Sequence, residues 1–594
     1  MLFGPIFHRE FTIAPRRTKL YASRTAYTVA LLILTATAWL IVSGTQLITD
    51  LGDMARFGNS LFALLAPLQL VLAMFFAAIF ATGNVSQEKD RNTLVLLLLT
   101  RMNNWELVLG KLAASLLHLF TNLLAAVPVF FMLLCFGGVS TAQVAQCLAI
   151  TFAAVLLCGV LGTTIAFWRE QTFQAVSMTA LVLVVWLALG ECLVGGVFGP
   201  ELQPFAATFS PWRAILGITR FSASSLPFPL FALAVSLVLT LWTVLRVRAW
   251  NSSERRRSEE KPVVSAKEKE EEAGSSLPAE AGSSLPAEEE LGSSLSVKKS
   301  REVWNNPILW REIRTRAYGK RAFIVRLCYA FLFAVAAWAV HQHLSALDLT
   351  FYEENAGALL FSMKIFVPMA LLALVLVNAQ AVTAITGERD GRALDLLLVT
   401  DLSPKEIVFG KLGGVFWNTR EIVLLPLLFL VYLGWMNAAS PEIVFYLAAG
   451  LCVLFLFAAM LGIHSGMAYA GSRSAIGVSL GTLFFLFVGV AVCLRMMLSM
   501  GGSFHAQLQP FLAFMAGGGL AMFLALGARN PSSAIGLASF GCPFATFYAM
   551  SALMMNYTLG VFLVVAIMYG FTTAAMLIPA ISEFDVAVHH GTSE

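Results

Sequence analysis

Charge is what this sequence has least of. Only 12% of its 594 residues are Asp, Glu, Lys or Arg, against roughly 25% in a soluble globular domain. Apolar residues reach 58% before the 44 glycines are added, and the mean hydropathy is +0.78. No single soluble core can use that much apolar surface, so the excess must face lipid, which excludes a soluble enzyme, a secreted disulfide scaffold and a disordered chain. A strong net charge is also missing. The formal balance is +4, too mild to argue for nucleic acid. The eight cysteines include no C-x-x-C pair, and most sit inside apolar runs, so they read as small buried hydrophobes rather than metal or redox ligands. No nucleophile–His–acid set or H-x-x-x-H pair stands out. The Met496-Met497…Met500 and Met550…Met554-Met555 groups read as adaptable packing rather than a soft-metal site. A phosphate loop, G-x-x-x-x-G-K-[ST], is absent: Gly110-Lys111 and Gly410-Lys411 are each followed by Leu, with no Gly five residues earlier. The chain is expected to be no enzyme and to bind no cofactor or metal.

What is present is a series of long apolar runs. The first, Ala26–Ile48, is long enough to span a bilayer, which needs about 20 residues, and too long for a cleaved signal core. Five more follow before residue 250, centred on 61–82, 111–136, 142–168, 173–198 and 227–246. A similar set follows residue 302, centred on 323–343, 361–385, 411–433, 443–470, 475–498 and 555–579. The expected fold is an all-α polytopic membrane protein of about 12 transmembrane helices. It would comprise a first six-span unit (1–250), a linker (251–301) and a second six-span unit (302–594). An extra stretch, 510–527, contains Gly517, Gly518 and Gly519 and is either re-entrant or spanning; the glycines favour a re-entrant hairpin. The linker holds 9 Lys/Arg, 11 Asp/Glu and a direct repeat, Ala273–Glu280 and Ala281–Glu288. Such a stretch buries too little apolar area to offset its ordering entropy. Basic residues crowd the start of the chain, the linker and the loops before Lys111 and Lys411. The positive-inside rule therefore places both termini and the linker in the cytoplasm of a bacterial inner membrane.

The most informative feature is an internal repeat. Residues 87–112 align without a gap on 387–412, and 12 of 26 positions are identical. The identities include Glu88/Glu388, Asp90/Asp390, Leu94/Leu394, Leu97/Leu397, Leu98/Leu398, Thr100/Thr400, Glu106/Glu406 and Lys111/Lys411. Shared apolarity cannot produce matching Glu, Asp, Thr, Gly and Lys. Pro5, Ile6, Arg9 and Glu10 likewise match Pro307, Ile308, Arg311 and Glu312. Ser210-Pro211…Ala214-Ile215 similarly resembles Asn530-Pro531…Ala534-Ile535. The chain is two tandem copies of one membrane unit. Within the repeat, Leu94, Leu97 and Leu98 fall at helical spacing, which predicts a short helix with one apolar stripe. Ser403-Pro404-Lys405-Glu406 then reads as a capping box with proline at the first helical position, and Asn103 with Glu106 repeats the logic. Lys111 and Lys411 are expected to snorkel toward the headgroups.

The pattern Glu-(Lys/Arg)-Asp…Leu-x-Leu-Leu-Leu-x-Thr…Glu-(Leu/Ile)-Val-x-Gly-Lys resembles the loop between the second and third spans of ABC type-2 transporter permeases. In that family the loop carries a coupling helix that docks on a separate ATPase subunit. The resemblance implies a permease of an ATP-driven exporter, two ATPase partners that hold ATP and Mg, and coupling through the sixteen repeat residues named above. It also implies that the amphipathic segment around Pro307, with Asn306 as its cap, lies in the membrane interface. Two units fused in one chain depart from the common single-unit plan. Ionisable residues inside spans are the pathway candidates: Glu191, Arg420, Glu421, His464 and Arg495, with His118 weaker. Arg420 and Glu421 are adjacent and expected on different faces. The alternative is a secondary transporter of the major facilitator kind. Its G-x-x-x-D-R-x-G-R loop is matched at Gly387–Arg392 in letters but not in spacing.

Overall fold

The computed structural model describes all residues except 1–3, 14–15, 17, 46–49, 92, 195–199, 222–226, 252–303, 305, 315–321, 346–351, 392, 501–503, 529–530 and 592–594. The linker beyond Asn251 and the last three residues of the tail therefore lie outside the described residues. Among the described residues every regular element is helical. The first unit contains α1 (Gly4–Ile13), α2 (Thr18–Thr45), α3 (Leu51–Asp90), α4 (Thr93–Leu99), α5 (Asn104–Met132), α6 (Thr141–Trp168), α7 (Thr172–Val194), α8 (Ala206–Phe209), α9 (Pro211–Phe221) and α10 (Pro227–Trp250). The second contains α11 (Pro307–Arg314), α12 (Ala322–Ser345), α13 (Tyr352–Asp390), α14 (Ala393–Leu398), α15 (Pro404–Asn418), α16 (Arg420–Trp435), α17 (Pro441–Ala468), α18 (Ser472–Phe484), α19 (Val490–Met500), α20 (Phe504–Leu526), α21 (Ser533–Met554) and α22 (Thr558–Gly591). The long helices are apolar on every side, the mark of a membrane span. Hydroxyl caps start several of them: Ser140, Ser403, Ser440 and Ser532 each accept from the backbone N–H three residues on.

Among the described residues thirteen helices are long and apolar enough to cross a membrane, and α15 with α16, bent by 62°, passes the same test as a pair. Six of these crossings belong to the first unit, as expected. The second unit repeats the six and adds two. One addition is 510–527, where the expected hairpin gives way to a continuous helix, α20. Its end reaches the end of α17: Tyr469 Oη donates to the Ala525 carbonyl at 2.7 Å, and His464 Nε2 lies 2.9 Å from the Leu526 carbonyl. Two of the three glycines, Gly518 and Gly519, form a packing surface rather than a turn. A Cβ on Gly518 would strike the Phe485 ring, and one on Gly519 would come within 2.6 Å of Phe540. Phe485 opens a π turn, Phe485–Gly489, that joins α18 to α19. The other addition is α21, which sequence periodicity did not mark as a span.

The two halves pack around a pseudo-twofold relation. α3 lies against α18 and α7 against α13, while α2 rests on α19 and α20. The cores interdigitate: Ile79, Phe173, Val176 and Leu181 of the first unit join the second unit's core, and Val490, Cys493, Met496, Phe511 and Met515 join the first unit's core. Met496 and Met497 are thus packing residues. Cys147, Cys158, Cys493 and Cys542 are buried as expected, whereas Cys135 and Cys452 are exposed.

The late sequence match does not mark equivalent places. Ser210 meets Gly190 near the far end of α7, but Ser532 starts α21 close to the end of α17. What the two segments share is helix-start chemistry, since Ala214 N–H bonds the Ser210 carbonyl and Gly536 N–H bonds the Ser532 carbonyl.

Candidate functional site: twin charged knots

The repeated segment folds into the same knot in both units, built on the charges that the two copies share. Lysine first. Lys411, only 1% exposed, bonds Glu312 at 2.5 Å and Glu388 at 2.6 Å, while Arg311 also pairs with Glu388. In the first unit Lys111, 6% exposed, pairs with Glu88. The expected snorkelling is therefore corrected. α11 lies across α15 and α1 across α5, and these covers shut both lysines away from headgroups. Close approach is possible because the partner helix carries glycine there: a Cβ on Gly410 would meet Asn306 Oδ1 at 2.8 Å, and one on Gly414 would meet Glu312 Cβ at 2.8 Å. Asn306 fixes the contact by accepting from Leu309 N–H and donating to the Glu406 carbonyl. It is thus the expected cap.

The middle residue of each triplet caps a neighbouring span. Lys89 Nζ donates to the Phe167 and Arg169 carbonyls at 2.6 and 2.9 Å, and Arg389 donates to the Gly466 carbonyl at 2.8 Å. A cation at a helix C-terminus satisfies orphan carbonyls and opposes the negative end of the dipole. The third residue holds the start of the next span. Thr172 at the head of α7 donates to Asp90, and Ser472 at the head of α18 donates to Asp390. Thr172 and Ser472 are 300 residues apart, like the aspartates they serve. That offset was the available signal for them, and for Glu312 through its match with Glu10. The knots also touch each other, since Arg91 reaches across the units to Asp390 at 3.1 Å.

The rest of the matched set is helix-terminal chemistry. Thr100 and Thr400 each donate to the carbonyl three residues back, at 2.6 Å in both units. Glu106 accepts from Asn103 N–H at 3.1 Å and Glu406 from Ser403 N–H at 2.9 Å, the expected capping boxes. The apolar stripe faces inward. Leu94 is 0% exposed, and Leu97 and Leu98 pack against the same cluster. Leu394 packs partly buried against the second unit's core, and Leu397 is also partly buried. The side chain of Leu398 lies outside the described residues. The outward faces are Leu96 (64% exposed) and Leu99 (56%) on α4, and Val399 (80%) just past α14.

The pathway candidates do not converge. Glu191, exposed, pairs with Arg213 at 2.8 Å, far along α7 from the knots. His464 is buried against the end of α20. Arg495 is exposed on α19, and His118 is half-buried on α5. Arg420 and Glu421 do pair, contrary to expectation, with Nε to Oε1 at 3.0 Å; Arg326 of α12 joins them at 3.3 Å. The reason is the break between α15 and α16. Thr419 leaves helical geometry at φ −110°, ψ 14°, so Arg420 and Glu421 head a new helix. Among the described residues no group of three or more His, Cys, Asp or Glu is placed to hold a metal ion. No protein-family model matches this chain, and no curated protein is similar to it in sequence.

Proposed function

We propose that this chain is the membrane-spanning permease of an ATP-driven exporter of the ABC type-2 kind, coupled to two separate ATPase subunits at the twin knots. One observation carries the reading. Both units hold a short helix beneath their spans on a buried ionic anchor, and both present apolar side chains outward that the described residues leave exposed: Leu96 and Leu99 in one, Val399 in the other. A force applied to such a helix would pass through the Lys411–Glu388–Glu312 cluster to α11, through Arg389 to α17 and through Asp390 to α18. A docked partner could thus move several spans together. In this reading ATP and Mg belong to the partner, and the knots face the cytoplasm of a bacterial inner membrane.

The test is recovery of an ATPase with affinity-tagged full-length chain from its native membranes. Leu96→Asp combined with Leu99→Asp, and separately Val399→Asp, should each lower recovery, and the triple variant should abolish it. Burying a leucine is worth roughly 1.5–3 kcal/mol, and a buried unpaired carboxylate costs more. Because these side chains point outward, the variants should insert and fold normally. Unchanged recovery in the triple variant would refute coupling and favour a secondary transporter.

A further inference from the structure

The second unit carries a surface groove. It runs between α12 and α16, holds about 430 Å³ and is apolar along its length. Ala330, Ala334 and Ala337 leave the space, while Phe333 and Phe429 wall it, 5.7 Å apart and edge to face. Its rim is strongly apolar and outward-facing, with Trp338 58% and Leu428 60% exposed, as expected of a surface against lipid.

The two ends differ in chemistry. At one end His341 Nδ1 and Tyr432 Oη close the groove at 2.7 Å. The other end is cationic: Arg326 and Arg420 share the single carboxylate of Glu421, leaving one net positive charge. Arg420 stacks 4.7 Å over the Trp417 ring with its side chain 47% exposed, so its guanidinium is held in place yet accessible. From Arg326 to His341 is 15 residues, about 22 Å of helix. That accommodates an acyl chain from one leaflet, half of a hydrocarbon core of about 30 Å. The first unit differs at the matching positions. Phe120 and Thr121 stand where Arg420 and Glu421 do. At Ala125, which matches the groove residue Leu425, the helices touch: Thr28 Oγ1 is 3.4 Å from the Ala125 carbonyl.

We propose that this groove seats one acyl chain of an anionic membrane lipid, with its headgroup phosphate against Arg420 and Arg326. Arginine suits the role because its planar fork matches phosphate geometry and is weakly hydrated. Phe120 and Thr121 offer no such charges at the matching place in the first unit, so there the two halves meet the bilayer differently. The inference does not rest on the transport reading.

The experiment is native mass spectrometry of the full chain purified in detergent, titrated with phosphatidylglycerol or phosphatidylcholine. The wild type should retain one phosphatidylglycerol in about tenfold preference, the scale of one charge-assisted contact. Arg420→Gln should erase the preference, and Arg420→Lys should restore part of it, which separates charge from misfolding. Ala334→Trp, which fills the groove without touching the charges, should lower retention of both lipids. Absence of a preference in the wild type, or its survival in Arg420→Gln, would overturn the proposal, as would undiminished binding to Ala334→Trp.

Discussion

Lys411 is the residue on which the second knot turns. It balances two carboxylates at a site from which water is excluded, and Glu312 is itself only 3% exposed. Breaking such a cluster by removing one partner leaves buried charge uncompensated, at a cost of about 3–5 kcal/mol. Lys411→Met should therefore lower the thermal midpoint of the detergent-solubilised chain sharply. Adding Glu312→Gln and Glu388→Gln should recover part of the loss. Arg9→Gln is the contrasting case: Arg9 is 66% exposed and pairs with its sequence neighbour Glu10. It should shift stability by no more than about 0.5 kcal/mol. Equal losses in Lys411→Met and Arg9→Gln would mean that the knot is not a structural anchor.

At the scale of elements, the instructive cases are α20 and α4. Three glycines in a row look like a turn because glycine is the residue that turns require. In α20 Gly518 and Gly519 instead let Phe485 and Phe540 come against the helix backbone. Gly519→Leu should force that contact apart and destabilise the chain by about 1–3 kcal/mol, the usual cost of overpacking. Gly517→Leu should be tolerated, since nothing lies within 4 Å of its Cβ position. Thermal unfolding of the pair measures the difference, and matched midpoints would contradict the packing role. In α4 the helical spacing of Leu94, Leu97 and Leu98 was legible and so was the stripe they form. Which way the stripe faces was not, because spacing fixes a face of a helix but not the neighbour it meets. Leu94→Asp should therefore impair accumulation of the folded chain, whereas Leu96→Asp should leave it intact, as membrane-fraction yield will show.

For the whole molecule, the two units hold together through apolar surfaces contributed by α2, α3 and α7 on one side and α12, α13, α18, α19 and α20 on the other. Residues 1–251 and residues 302–594 produced as two separate fragments should therefore reassemble and co-purify in mild detergent. Fragments that separate cleanly would show that the covalent link, not packing, unites the halves. Fourteen crossings among the described residues, counting the bent pair once, also place the α20–α21 connection at the knot end of the bundle. In a cysteine-free background, Ala528→Cys should match Ser275→Cys in its reactivity toward an impermeant thiol reagent in intact cells, and Asn556→Cys should differ from both. Agreement of Ala528→Cys with Asn556→Cys would mean that α20 turns back within the bilayer.

The sequence by itself determined the solvent, the element type and the duplication. Hydropathy alone forces most of the chain into lipid, where a segment must satisfy its own backbone and so must be helical, and twelve identities at one offset cannot arise from shared apolarity. Glu88, Asp90, Glu106 and Lys111 and their counterparts were visible as a set, yet their partners were not. Those partners lie on other helices: Glu312 about 100 residues from Lys411, and Thr172 about 80 from Asp90. An ion pair depends on distance in space, which periodicity does not encode. Tertiary packing alone decided that Lys411 is buried rather than snorkelling, that the leucine stripe is core while Leu96, Leu99 and Val399 face outward, and that α20 runs unbroken. Each outcome follows from a second helix close enough to exclude water or lipid.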